Sequence, residues 1–291
     1  MKDYLGYLAL RAGVGLVGLL PAGAARRLGS AFGWCWHLAA GGRRRMAERH
    51  MRRVLGEGAD VKAAAKAVMV SYGRYWTEAF WARPRRVPEM RRNTEVDGLE
   101  FLTGARDAGK GMIFALPHMG NWDVAAPVAV YEGIPVVAVA ERLANTRITD
   151  WFTKMRAGFG IEIVLATGST EVMRKLEEAL ANNKGVALLA DRDLKGRGVE
   201  VEFFGEMTTL PPGPATLALR TGAPIFPITS FFRPKGHRLE VTSPISIPET
   251  GTRTEKIQVM TQELAYRMEK MISEDPQQWH LVVPNWPSDR E

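Results

Sequence analysis

The chain has 291 residues, a formal net charge of +7 and a pI near 9.6. With 46% apolar and 9% aromatic residues it has ample material for a core, and its length fits one large domain or a domain with a small appendage. Cys35 is the only cysteine, which excludes an intrachain disulfide and fits a reducing compartment; one Cys and five scattered His give no metal site. The positive charge points to an anionic partner: nucleic acid, an anionic membrane surface or an acidic small molecule.

Residues 4–20 are apolar but broken by Arg11 and several glycines. The run is short for a span and has no cleavage pattern. It reads as a helix lying in a membrane interface or as an ordinary core helix. Pro21 starts a second helix, to which Phe32-Gly-Trp-Cys-Trp-His37 gives an aromatic face of interface or core type. A basic block follows (Arg43, Arg44, Arg45, Arg49, Arg52, Arg53), and a second at Arg83, Arg85, Arg86, Arg91 and Arg92. Each is a solvated helix face or, beside amphipathic helices, a patch attracted to anionic head groups. No helix-turn-helix, zinc finger or aromatic RNA-binding motif accompanies the arginines, which argues against nucleic acid.

Alanine content and spacing predict a helix over 61–80, ended by Arg83-Pro84, with Val87-Pro88 in a loop. From there strands and helices alternate. Strands are expected at 111–116, 135–140, 162–165, 186–190, 199–204, 225–230 and 239–247, and helices at 121–131, 146–159, 170–182, 214–220 and 255–273. This order predicts an α/β fold: a central mixed β-sheet flanked by helices, with a helical, membrane-associating N-terminal region (1–92) packed on a single integrated core (93–291).

The chemistry gathers at 111–123. Met112 to Leu116 is an uninterrupted apolar run, suited to a strand buried on both faces, and Pro117 ends it. Asn121 is a good N-cap for the helix that follows. His118 therefore sits at the carboxyl end of a strand, where ligands collect in open α/β sheets, and Asp123 in the first turn of the next helix. The spacing lets Asp123 accept the proton of one ring nitrogen and leave the other free as a base for acyl transfer to an alcohol. Asp123 could instead be a plain first-turn residue favoured by the helix dipole.

Other polar residues fall at the same edge. Glu141 and Arg142 follow one strand and suit sugar hydroxyls and phosphate, or form a surface salt bridge. Asp191 and Asp193 follow another, where aspartate is most often a turn residue. Lys195-Gly-Arg197-Gly198 is basic, and touches phosphates or makes a hairpin turn. The helix starting near Pro214 is a simple cap or an anion site.

His118-Met-Gly-Asn-Trp-Asp123 resembles the His-four-residues-acid motif of the glycerolipid and lipid A acyltransferase superfamily. Ser71-Tyr-Gly-Arg-Tyr-Trp-Thr-Glu-Ala-Phe80, Val139-Ala-Glu-Arg-Leu143, the segment from Asp191 to Glu206, Leu210-Pro-Pro-Gly-Pro-Ala215, Thr221-Gly-Ala-Pro224, Trp279-His280 and Trp286 follow in order. The set is similar to the phosphatidylinositol mannoside acyltransferases of actinobacteria, a branch of the lipid A acyltransferase family. The resemblance implies a peripheral enzyme on the cytoplasmic face of the inner cell membrane, working as a monomer, with acyl-CoA (palmitoyl-CoA) as co-substrate, a glycolipid acceptor and no further cofactor. His118 would be the general base, with Asp123 and Asp191 completing the catalytic set. Asp191 stands where that branch carries a Glu, one methylene longer. Arg156 is carried over as a ligand contact. Asp193 matches the family residue type and contacts substrate or buttresses its loop, and Arg197 would touch phosphates of coenzyme A. The alternatives are the same chemistry on a lipid A precursor, a lysophospholipid or an ornithine lipid, or a basic membrane-binding protein without catalysis.

Overall fold

The computed structural model describes residues 2–166, 170–193 and 196–290. Helices α1 (Lys2–Leu19), α2 (Ala22–Ala39), α3 (Gly41–Leu55) and α4 (Val61–Trp81) come first, then α5 (Val87–Arg92). The alternating part follows as β1 (Thr94–Asp97), α6 (Leu99–Asp107), β2 (Met112–Leu116), α7 (Trp122–Tyr131), β3 (Val136–Ala140), α8 (Thr146–Ala157), β4 (Ile161–Leu165), α9 (Thr170–Ala181) and β5 (Gly185–Leu189). A hairpin of β6 (Val199–Phe203) and β7 (Glu206–Leu210) leads to α10 (Gly213–Thr221), β8 (Ile225–Arg233), β9 (Gly236–Val241) and α11 (Arg253–Glu274).

Seven strands form one sheet in the order β1-β9-β8-β2-β5-β3-β4, and β6-β7 form a separate ribbon. Every neighbouring pair in the large sheet is parallel except β8 and β9. The expected mixed sheet flanked by helices is therefore the fold. All five residues of β2 are buried. Ile113 and Ala115 face a core shared with α9, α10 and α11, whereas Met112, Phe114 and Leu116 face a second core under α6 and α7. This is the period of two that a strand covered on both faces requires.

Several details depart from the sequence reading. Val87-Pro88 opens α5 rather than forming a loop, because proline is tolerated in a first helical turn. Strands β1 and β7 and helix α6 were not anticipated. The last strand ends at Val241, and Ile245 makes only an isolated bridge to Ile225. The stretch around Arg197 is not a hairpin turn: the β6–β7 hairpin turns at Phe204 and Gly205, both at positive φ. Lys195 lies outside the described residues.

The arginine blocks also do more than face solvent. Arg83 donates to the Val14 carbonyl at 2.9 Å and Arg86 to those of Gly18 and Trp81 at 3.0 and 2.7 Å, closing the ends of α1 and α4. Arg49 and Arg53 bind the C-terminal turn at Ser288 and Asp289. Arg45, Arg85 and Arg92 remain exposed. Among the described residues no helix is long and apolar enough to cross a membrane.

Candidate active site

The register of the sheet builds the site. Leu116 of β2 pairs with Leu189 of β5, its parallel neighbour. Two residues further along each strand, His118 and Asp191 emerge side by side, since adjacent strands lie only about 4.8 Å apart. The Nδ1 atom of His118 is 2.6 Å from Oδ1 of Asp191, and the backbone N–H of His118 donates to Oδ2 at 2.9 Å. Trp279 Nε1 also donates to Oδ2 at 2.8 Å, and Asn285 donates to the Asp191 carbonyl at 3.0 Å. Burial pushes the Asp191 carboxyl up, but the His118 ring and backbone N–H together with Trp279 outweigh it and hold it below the usual carboxylate range. An ionised carboxylate only accepts, so Nδ1 carries the proton of the neutral ring and Nε2 its lone pair.

Asp123 does not touch this ring. Its carboxylate is buried against Arg156 of α8, with Nε at 2.8 Å from Oδ1 and a second guanidinium nitrogen at 3.1 Å from Oδ2. The Tyr75 hydroxyl of α4 donates to Oδ2 at 2.8 Å. Burial raises the Asp123 pKa, yet the Arg156 ion pair and both sets of hydrogen bonds bring it below its ordinary value, and Arg156 is raised in turn, first by that charge. The expectation that Asp123 orients His118 is thus corrected. Asp123 points back into the helical layer and ties α4, α7 and α8 together, while the partner from β5 takes the ring nitrogen.

The loop between His118 and α7 is fixed by backbone. Gly120 has φ 58°, and a Cβ there would overlap the Ser230 carbonyl oxygen. Met119 bridges to Trp279, and the His280 N–H donates to the His118 carbonyl at 2.7 Å. Asn121 does not cap α7 with its side chain. Its backbone N–H donates to Ser230 Oγ at 3.1 Å, and the side chain is drawn towards Glu78, which also binds Arg26, Arg74 and His237.

A cavity of about 870 Å³ opens at His118. It runs between the sheet and α7, past Leu116, Phe114, Ala125 and Val128, and reaches Leu102 and Val241 under α6. Trp122 stands edge-on to His118, with ring centroids 5.4 Å apart, and stacks on Tyr75. His280 lines the same wall, bonds Ser71 Oγ through Nε2 at 2.9 Å, and stacks on Tyr72. Burial lowers its pKa to about 3, so it stays neutral.

Of the remaining expected residues, Arg156 and Asp193 line the cavity, and Glu141 stands at its rim, paired with Arg192 at 3.0 Å. Asp193 also accepts from the Gly198 N–H and Thr209 Oγ1, so it does buttress its loop. Arg142 and Arg197 are exposed and lie outside the cavity wall. Sequence reasoning missed Tyr75, Trp279, Asn285 and Arg192. No local spacing links them to His118; only the tertiary fold does. Among the described residues no cluster is suited to hold a metal ion.

A carboxylate-backed histidine at the carboxyl edge of an α/β sheet, facing an apolar cavity, is a layout for moving an acyl group. The chain belongs to the bacterial lipid A biosynthesis acyltransferase family, whose model matches residues 2–288. It is 37% identical over 244 residues to a phosphatidylinositol mannoside acyltransferase of Mycolicibacterium smegmatis, covering 83% of this chain and 79% of the relative. A protein of the same name from Mycobacterium tuberculosis is 37% identical over 226 residues, covering 77% and 70%.

Proposed function

We propose that this acyltransferase moves a long-chain fatty acyl group from acyl-CoA to a mannose hydroxyl of phosphatidylinositol mannoside. The observation that carries the reading is the apolar cavity lined by His118, whose Nδ1 is engaged by Asp191. Its volume lies within the range of about 300–1,000 Å³ common for ligand pockets, and its alkyl and aromatic lining suits a fatty chain. The acceptor class rests on the names of the two relatives.

In this mechanism Nε2 of His118 takes the hydroxyl proton as the oxygen attacks the thioester carbonyl. A C–O bond forms, the C–S bond breaks, and the imidazolium returns its proton to the departing coenzyme A thiolate. Asp191 fixes the tautomer and balances the charge that develops on the ring. Asp123 and Arg156 position the wall of helices around the acyl chain rather than the proton. Exposed Tyr4, Leu5, Leu8 and Leu16 of α1, and Leu28 and Phe32 of α2, fit a peripheral seat on the cytoplasmic face of a membrane.

The test is incubation of the purified full chain with palmitoyl-CoA and a panel of acceptors: mannosylated phosphatidylinositol, a lipid A precursor, a lysophospholipid and an ornithine lipid. Mass spectrometry should find the palmitoylated mannoside and release of coenzyme A, both lost in His118→Ala. Acylation of another acceptor alone would overturn the acceptor assignment, and an unchanged His118→Ala the mechanism.

A further inference from the structure

The mouth of the cavity carries two guanidinium groups that the reaction at His118 does not use. Arg192 follows the catalytic-site Asp191 on the β5 edge, and Arg43 projects from the start of α3; both line the cavity. Arg43 has no carboxylate partner among the described residues and donates only to the Val282 carbonyl at 3.1 Å. Arg192 spends one terminal nitrogen on Glu141, which is itself largely exposed, and its buried Nε has no hydrogen-bond partner among the described residues. Tyr72 sits with them in the same wall. Burial raises the pKa of its hydroxyl, and a hydrogen bond with Trp76 and then the charges of Arg192 and Arg43 act against that rise.

A doubly cationic rim with an unpartnered Nε and a hydroxyl is suited to a phosphate, whose oxygens match guanidinium donors in pairs. The rim also adjoins α2: Phe32 and Trp36 line the cavity beside Arg43, and Phe32 is 59% exposed. A lipid lying along the apolar side of α2 would bring its phosphate to these arginines as its sugar reached His118. We propose that Arg43 and Arg192, with the Tyr72 hydroxyl, form a phosphate subsite at the cavity mouth that holds the phosphodiester of the acceptor lipid. The proposal deepens the function given above and rests on it for the identity of the occupant. The coenzyme A donor also carries phosphates and is the other source the test must separate.

Binding to the full chain is measured by titration calorimetry, with no turnover required. The probes are glycerophosphoinositol against myo-inositol, and coenzyme A against pantetheine. The parent should bind glycerophosphoinositol at least tenfold more tightly than inositol. The double variant Arg43→Gln, Arg192→Gln should lose roughly ten- to a hundredfold of that preference, as expected for charge-assisted hydrogen bonds, and Arg192→Lys should retain part of it. Loss confined to coenzyme A over pantetheine keeps the subsite but overturns the acceptor phosphodiester as its occupant. Equal binding of each phosphate probe and its phosphate-free counterpart by the parent, or an unchanged preference in the double variant, overturns the subsite. Failure of the functional reading shows separately, as absent palmitoyl transfer in the assay above.

Discussion

His118 and Asp191 are joined twice, ring to carboxylate at 2.6 Å and backbone N–H to carboxylate at 2.9 Å. The first contact sets the proton on Nδ1; the second fixes the distance between the two strands' ends. With Trp279 donating as well, three N–H groups converge on one carboxylate, so its charge is held rather than merely tolerated.

Asp191→Asn should therefore cost more than a hydrogen bond. The Asn oxygen would be drawn to the His118 and Trp279 N–H donors, which leaves its NH₂ facing Nδ1. The ring would then carry its proton on Nε2, the tautomer that cannot act as a base. Acyl transfer should fall by about two to four orders of magnitude, with the circular dichroism spectrum unchanged. Activity within threefold of the parent would remove Asp191 from the mechanism.

How much of this was legible beforehand follows from distance along the chain. The apolar run of β2, its stop at Pro117 and the helix beyond are local facts, and the sequence places His118 correctly at the strand's end. Its partner is not local. Asp191 lies 73 residues away and becomes adjacent only because β5 inserts between β2 and β3 in the sheet. That adjacency also explains why the shorter Asp reaches the ring. Spacing favoured Asp123, five residues on, but an aspartate buried in a first helical turn is claimed by whichever cation packs above it, here Arg156. β1 escaped notice because four residues with two carboxylates show little strand pattern, and β7 because Glu206 and two threonines read as a loop.

Asp123→Asn tests the division of labour between the two aspartates. It leaves the Arg156 charge buried without its partner, which costs about 3–5 kcal/mol in comparable buried pairs. Thermal unfolding should shift downward by many degrees. If Asp123 instead oriented the ring, the variant would keep its melting temperature and lose activity alone.

Acid should loosen the fold in two overlapping windows. His280 is neutral in the native state, with its pKa pushed by burial from 6.5 to about 3. The unfolded chain binds that proton first, so stability is full above pH 6.5 and falls as pH drops towards 3. Glu78 is opposed by burial, but His237, Arg74 and Arg26 bring it from 4.5 down to about 2, so its contribution is full above pH 4.5 and is lost between there and 2. Urea unfolding between pH 7 and 4 should show falling stability, and His280→Gln should flatten the upper part of that slope while Glu78→Gln leaves it intact. A slope unaltered by His280→Gln would mean that His280 is not held neutral.

The cavity predicts a change of donor preference without loss of chemistry. Val128 lines it in the later part of α7, six residues beyond Trp122, which packs against His118. Val128→Trp fills the channel there, so palmitoyl transfer should drop at least tenfold while a short acyl thioester, reaching only past Leu116, retains its rate. Parallel losses for long and short donors would show that the acyl chain runs elsewhere.

The helical layer beside the site is drawn together by glycines on α2 and α4. Gly29 and Gly33 lie one turn apart on α2, and Gly73 faces them on α4. A Cβ at Gly33 would overlap the Met69 carbonyl oxygen, and one at Gly73 the Gly29 carbonyl oxygen, so the two backbones touch where other helix pairs interpose side chains. Tyr72 and Tyr75 flank Gly73 on α4, and Tyr75 holds Asp123. Gly73→Val should therefore push α4 off α2, destabilise the chain by about 1–3 kcal/mol or more, and lower activity through the displaced tyrosines. Gly13→Ala on α1, where a Cβ meets nothing within 4 Å, is the matched control and should leave stability unchanged or slightly raised. If both variants unfold at the parent's urea midpoint, the close crossing of α2 and α4 does not exist in solution.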